Sequence, residues 1–438
     1  MASAGSGSGV RLADDMRVDV AEWEKATADV LRRLRRLDDD APDSAVWTAL
    51  SHQSLDGLTI PPLGTPDVSA GLPSPGIVGA APYTRGSRPL GGFDGTGAWD
   101  IRGWFTDPDV DRTAADVITD LENGVNSLWI TVGTAGIPAS ALAKVLEPVF
   151  LDLAPVVLST DGGVDDELAA ARAFADVIAD KAVTPHPASS VGVTDLTHVA
   201  EAISIAQNAG VRAFTVDATT AHDRGASNVQ ELAYSLKAGA DYLRAAAAAN
   251  IDLAEAAALI DFRYAATDEQ FPTIAKLRAA RRLWNRVLEL SGVAAEQGQS
   301  QHAVTSRPMM SKYDPYVNML RTMVAAFAAG VGGAEAVTVL PFDEPLGLPV
   351  AFSRRIARNI SSLLVAESHV AAVADPGGGS HLVEKLTDDM AQAAWALFGE
   401  LEEGADLDAL IEATASERAS KIATRELPLT GVTEFPNL

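Results

Sequence analysis

From residue 98 onward the apolar positions follow two alternating periods. Short runs in which every second residue, or every residue, is apolar are each followed by a longer run with apolar residues three to four apart. The short runs are AWDIRGWF (98–105), SLWITVG (127–133), APVVLST (154–160), SSVGV (189–193), VRAFTVDA (211–218), LIDFRYA (259–265), HAVTSRP (302–308) and AVTVLPF (336–342). The first period is that of a strand and the second that of a helix. The helical runs cover 110–123, 138–150, 163–180, 196–209, 227–249, 268–292, 313–330 and 351–366. Strict strand–helix alternation with short loops predicts a parallel sheet, and eight such units predict closure as a (β/α)8 barrel of α/β class. Two more helices, at 383–402 and 406–422, follow the last unit.

Ahead of the barrel the pattern changes. Residues 16–37 place Trp23, Ala26, Val30, Leu34 and Leu37 at helical steps, which predicts one apolar face. Residues 51–97 show no period and are rich in Pro and Gly. The expected organisation is a flexible tail and helical arm over 1–50, an extended connector over 51–97, and the barrel with its two C-terminal helices over 98–438. A helix on so loose a connector suits either packing on its own barrel or wrapping a partner.

Composition narrows the class. The 438 residues are 47% hydrophobic and 6% aromatic, enough for one large core. A net charge of -25 argues against nucleic-acid binding, which rests on cationic contacts to phosphate. The absence of cysteine removes disulfides, thiolate metal sites and a thiol nucleophile. No run of about 18 apolar residues predicts a membrane span. The opening MASAGSGSGV lacks the charged and apolar regions of a signal peptide, so a cytoplasmic location is expected.

Barrel chemistry sits on the loops at the C-terminal ends of the strands. There, Thr160-Asp161-Gly162-Gly163 reads as a turn with a helix cap more readily than as an anion site. His222-Asp223 pairs a candidate base with an acid, yet neighbours in sequence rarely face each other, and a solvated loop histidine is the simpler reading. Asp343-Glu344 suits the start of a helix. Asp375-Pro376-Gly377-Gly378-Gly379-Ser380-His381 is a tight glycine turn. The seven histidines form no metal-binding spacing, so no metal site is expected. After the fifth strand, where an acid or base is expected, stand Thr219 and Thr220, whose hydroxyls do not titrate near neutral pH.

Several segments resemble one family. PTIAKLRAARRLW (272–284), YDPYVNMLRT (313–322), FDEPLGLP (342–349), RIARNISSLLVAESHV (355–370), VADPGGGSHLVEKLTDDMAQAAWALF (373–398) and TGVTEFPN (430–437) look like the barrel domain of adenosylcobalamin-dependent methylmalonyl-CoA mutase, over roughly 80–438. The resemblance implies a barrel that threads the pantetheine arm of an acyl-CoA along its axis. It also implies a separate flavodoxin-like C-terminal domain that presses cobalamin onto the mouth, and radical interconversion of methylmalonyl-CoA and succinyl-CoA. That cobalamin domain is absent from this sequence, which stops at Leu438.

The departures point to a particular branch. Catalytic chains of the family carry a Tyr-His pair within S-G-Y-H-M, and the His holds the thioester carbonyl. The aligned positions here are Asp217-Ala218-Thr219-Thr220-Ala221. Their R-P-W-T-I-R-Q-Y stretch aligns with Gly97 to Trp104. Gly97 replaces an Arg, Asp100 a Thr and Trp104 the Tyr over the substrate, and only Arg102 persists as a candidate on the coenzyme A side. The arginine that grips the substrate carboxylate has no counterpart between the second and fourth strands. This pattern resembles the small, non-catalytic subunit of heterodimeric mutases, whose axial channel tends to be filled by side chains. The resemblance then implies no cofactor on this chain, adenosylcobalamin on a large catalytic partner subunit, and through that complex contact with a metallochaperone GTPase. A divergent acyl-CoA mutase barrel and a scaffold unrelated to turnover are the alternatives.

Overall fold

Eight parallel strands close on themselves in the computed structural model, which describes residues 19–87, 98–294 and 298–436. The strands are β1 (Asp100–Phe105), β2 (Ser127–Val132), β3 (Val156–Thr160), β4 (Ser190–Val193), β5 (Arg212–Asp217), β6 (Ile260–Ala266), β7 (Gln301–Thr305) and β8 (Ala336–Thr338). Each pairs with the next in sequence, and β8 pairs with β1 through Ala336 opposite Asp100 and Val337 opposite Ile101. The fold is therefore the (β/α)8 barrel that the two periods predict.

The helices are α1 (Val110–Leu121), α2 (Leu142–Leu146), α3 (Val164–Lys181), α4 (Val199–Ala209), α5 (Asn228–Ala248), α6 (Gln270–Leu290), α7 (Val317–Val331) and α8 (Ala351–Ser362). Local signals explain most ends. Ser227 accepts from Gln230 N while the Gln230 side chain reaches back, a capping box that starts α5. Helix α3 stops at Ala182, in left-handed conformation. Two short helices in the connections, Thr219–Asp223 after β5 and Leu253–Ala258 before β6, have too few residues to leave a periodic signal.

Some predicted bounds move. The helix expected over 138–150 shrinks to Leu142–Leu146, because Pro138 leads into a 3-10 turn and Pro148 has no amide hydrogen to donate. The strand runs expected to 308 and 342 end at Thr305 and Thr338. The last helix of the eight units ends at Ser362 and passes into a π turn, Leu363–Glu367. Strand β4 carries a register shift between Ser190 and Val193. Gly192 sits there at φ +70, where an added Cβ would meet the Leu158 carbonyl oxygen at 1.9 Å.

Alternation along the strands sorts side chains between axis and helices. On β6, Phe262 faces outward with its ring 4.8 Å from Trp284 of α6, and Tyr264 donates to Ser235 of α5. Asp261 and Arg263, the alternate positions, point to the axis, where Arg212 meets Asp261 and Asp217 meets Arg263. The C-terminal helix His381–Glu402 covers α5 and α6. Arg278 of α6, fully buried, reaches Asp375, Glu384 and Thr387, and Arg282 pairs with Asp388. The glycine turn thus serves as the socket for an arginine. No second parallel sheet is present among the described residues.

Among the described residues, those up to Gly64 form one compact unit and those from Thr65 onward a second. Helix Val20–Arg33 pairs with the short helix Val46–Leu50: Ala28, Leu31 and Val46 are buried, and Trp23, Leu37, Trp47 and Leu50 pack around them. The Trp23 and Trp47 rings lie 5.0 Å apart, and the Trp47 indole donates to Glu24 at 2.7 Å. The buried stripe differs from the one predicted, since Ala26, Val30 and Leu34 are exposed. The short second helix packs on the side of Ala28 and Leu31. The expected tail at 1–10, residues 16–18 of the arm, and Gly97 lie outside the described residues.

Candidate functional site

The axis of the barrel is occupied by its own side chains. Trp104 of β1 stands opposite Trp129 of β2 in register, and their rings stack with centroids 4.9 Å apart and planes 24° from parallel. Below, the Arg263 guanidinium lies over the Trp129 ring at 4.0 Å. Above, the Arg307 guanidinium lies over Trp104 at 4.6 Å. Each contact is a cation over an aromatic face, or one such face on another. Together they form a column of Arg263, Trp129, Trp104 and Arg307. Trp129, Val304 and Leu340 are buried around it.

Polar bonds fix the column. Trp129 donates to Ser159 at 2.8 Å, and Trp104 to Thr131 at 3.1 Å. Arg263 donates to Asp217 at 2.6 Å and, through Nε, to His302 Nδ1 at 3.2 Å. With Nδ1 accepting, the imidazole proton sits on Nε2 and points at Thr338 Oγ1, 2.8 Å away. Thr338 in turn donates to the Arg102 carbonyl at 2.9 Å. His302 is 1% exposed, and burial, then Arg102 and Arg263, hold its pKa well below the ordinary 6.5. It is a neutral structural linker, and a proton donor of that kind is unsuited to acid–base work near pH 7.

The sequence-derived positions fall around this column. Thr219 is buried and donates to Asp217 Oδ1 at 2.5 Å; Asp217 is the same carboxylate that holds Arg263. Thr220 is exposed, and its hydroxyl donates to the Asp217 carbonyl at 2.7 Å on the side of Tyr234. Both therefore begin the short helix Thr219–Asp223, each with its hydroxyl committed locally. Trp104 is in the column. Arg102 is 4% exposed and donates to Ser127 at 2.7 Å inside the barrel, and burial lowers its pKa despite nearby Asp261 and Asp100.

His222 departs from its simple reading. It is buried, with Nε2 2.7 Å from Ser306 Oγ and Nδ1 3.5 Å from Glu231. Glu231 itself is fully buried, pairs with Lys276 at 2.5 Å and accepts from the Ala265 amide. Burial would raise the Glu231 pKa, but Lys276 and His222 outweigh it and hold the group low. Asp223 turns instead to Arg307 at 2.9 Å, and Glu344 meets Arg307 at 3.3 Å. Arg307 thereby ties three mouth loops together. Burial raises the pKa of both carboxylates against its pull. Asp161 clasps the neighbouring loop through Thr134 and the Ala135 amide, which lowers its pKa. Among the described residues no group of acidic and histidine side chains could hold a metal ion, and no helix is long and apolar enough to cross a membrane.

Residues 177–437 match the family model described as Methylmalonyl-CoA mutase. The chain belongs to the methylmalonyl-CoA mutase family. It is 47% identical to the methylmalonyl-CoA mutase small subunit of Streptomyces virginiae, over 98% of this chain and 73% of that one. It is 37% identical to the small subunit of Propionibacterium freudenreichii subsp. shermanii, over 95% of this chain and 68% of the other. The methylmalonyl-CoA mutase of Escherichia coli strain K12 is 28% identical over 91% of this chain and 60% of its own length. The small-subunit names imply a large-subunit partner.

Within the mutase framework, the residues that motif reading overlooked are Trp129, Arg263, His302 and Arg307. A signal existed for three of them. Trp129, Arg263 and His302 occupy inward positions of alternating strands, where a barrel of simple aliphatic layers would carry Val or Ile. What no pattern gives is that Trp129 meets Arg263 and Trp104, and that Arg307 closes over Trp104.

Proposed function

We propose that this chain is the non-catalytic small subunit of a methylmalonyl-CoA mutase, supporting a large subunit that interconverts methylmalonyl-CoA and succinyl-CoA. The observation that carries the reading is the stacked column. An acyl-CoA arm threaded along the axis would have to displace Trp129, 4% exposed, and Arg263, 2% exposed. It would also break the hydrogen bonds to Ser159, Asp217 and His302. Such a filled barrel does not fit an axial thioester. Thr219 and Thr220 add support, because both hydroxyls are spent within the loop. In this reading adenosylcobalamin belongs to the large subunit, where it supplies the radical. A metallochaperone GTPase meets this chain only through that complex. The role left to the small barrel is to bind the folded large subunit and stabilise it by mass action.

The test is to assay the purified chain with adenosylcobalamin and methylmalonyl-CoA, alone and with the large subunit, and to titrate it with acyl-CoA by calorimetry. The reading requires no turnover and no heat of binding from the chain alone, with turnover once the large subunit is added. Succinyl-CoA formed by the isolated chain, or micromolar acyl-CoA affinity, would transfer the reading to a divergent mutase barrel.

A further inference from the structure

A cavity of about 370 Å³ opens between the first and the eighth βα units. Its walls come from the end of β1, the first turns of α1, the loop after β8 and Arg354 of α8. Phe105, Pro341 and Leu348 give it apolar surface, and Asp116 of α1 and Glu344 of the loop after β8 give it carboxylates. That size lies within the range of small-molecule sites, which combine apolar walls with a few placed polar groups. Which charge it accepts follows from how its ionic groups are already used. Arg112 pairs with Asp107 at 3.1 Å and donates to the Pro349 carbonyl at 3.3 Å. Arg354 is held by Asp120, donates to the Trp104 carbonyl at 3.4 Å and lies over the Phe105 ring. What this leaves for Asp116 is Arg354 Nε at 3.7 Å, beyond hydrogen-bond reach. Glu344 meets Arg307 at 3.3 Å and shares it with Asp223, which is nearer at 2.9 Å. Both arginines of the wall are therefore committed, while both carboxylates keep acceptor capacity.

We propose that this cavity binds an aliphatic amine cation, a diamine or polyamine whose methylene chain lies on Phe105, Pro341 and Leu348 and whose ammonium groups reach Asp116 and Glu344. An anion would enter against the two carboxylates and find the guanidinium groups already taken. A neutral apolar ligand would cover both carboxylates and leave them without a donor, which is costly. An ammonium brings three N–H donors on a compact head, and its carbon chain suits the apolar wall. A metal ion is a poorer occupant, because no three acidic or histidine side chains gather to hold one among the described residues. Burial raises the Glu344 pKa against the pull of Arg307, which fits a carboxylate short of donors. The site does not depend on whether the barrel axis is filled, so the proposal stands apart from the small-subunit reading.

The experiment is calorimetric titration of the full chain with putrescine and with spermidine, at an ionic strength of about 0.15 M. A chain of net charge -25 gathers amines diffusely, so the controls decide the outcome. Asp116→Asn/Glu344→Gln removes the two carboxylates. Leu348→Trp fills the hollow without changing the charge. Glu400→Gln/Glu403→Gln removes two exposed carboxylates of the C-terminal helix region, away from the cavity. Far-UV circular dichroism checks folding. The wild type should bind one amine saturably and ignore butane-1,4-diol, which lacks the charge. Asp116→Asn/Glu344→Gln and Leu348→Trp should each weaken binding at least ~10-fold, and Glu400→Gln/Glu403→Gln should bind as the wild type does. Where the first variant does not fold, Leu348→Trp decides alone. No saturable binding by the wild type overturns the proposal. So does normal binding by Leu348→Trp, or an equal loss in Glu400→Gln/Glu403→Gln, which would mean diffuse attraction to an acidic surface.

Discussion

Trp129 lies between two partners that an open barrel would hold apart: the Trp104 ring stacks on one side, and the Arg263 guanidinium, 4.0 Å from its centroid, covers the other. An indole so enclosed does the work of a wall. Trp129→Ala removes it and leaves Arg263 and Ser159 without their partner. The expected loss in unfolding free energy is about 3–5 kcal/mol, read from urea denaturation. A loss under ~1 kcal/mol would mean that the column is not packed as described.

Acid should act on the barrel through His302. Its folded pKa is depressed by burial and by Arg102 and Arg263, so below the ordinary 6.5 the unfolded chain binds a proton that the folded chain refuses. Stability therefore falls as pH drops below about 6.5, with a slope of up to ~1.4 kcal/mol per pH unit from this residue. Asp223 and Glu344, whose folded pKa values are raised, work in the opposite sense as pH falls toward the ordinary carboxylate range. The difference between wild type and His302→Gln isolates the histidine. The variant should be less stable at pH 8 and lose less on going to pH 5.5; parallel curves would refute the assignment.

Glu231 and Lys276 form an ion pair with both side chains fully buried. Lys276→Met strands the carboxylate and should cost about 3–5 kcal/mol at pH 8. Thermal melts at pH 8 should place Lys276→Met well below the wild type, and Lys276→Met/Glu231→Gln, which removes the stranded charge, should recover part of the loss.

Putting an imidazole back at the mouth should not restore chemistry. Thr220 is exposed, so Thr220→His is expected to fold. With the column beneath it intact, the variant should neither bind acyl-CoA by calorimetry nor turn it over with adenosylcobalamin. Measurable isomerase activity in Thr220→His would show that the axis opens on demand.

The chain's own periodicity determined the barrel. Strand and helix periods differ by nearly twofold, so eight alternating units were legible without a contact, and motif order gave the family. The short helix Thr219–Asp223, the truncated α2 and the local partner of the Val20–Arg33 helix were not legible, because a single turn has no period and a helix face does not name what covers it. The same limit governs the site. Thr219, Thr220 and Trp104 could be singled out one by one, but whether the axis is open depends on side chains from β1, β2, β6 and the loop after β7. Residues 104, 129, 263 and 307 are far apart along the chain and meet only when the sheet closes. Closure turns every inward residue toward a common centre, and there the volumes of two indoles and two guanidinium groups, not any local pattern, decide that the centre is filled.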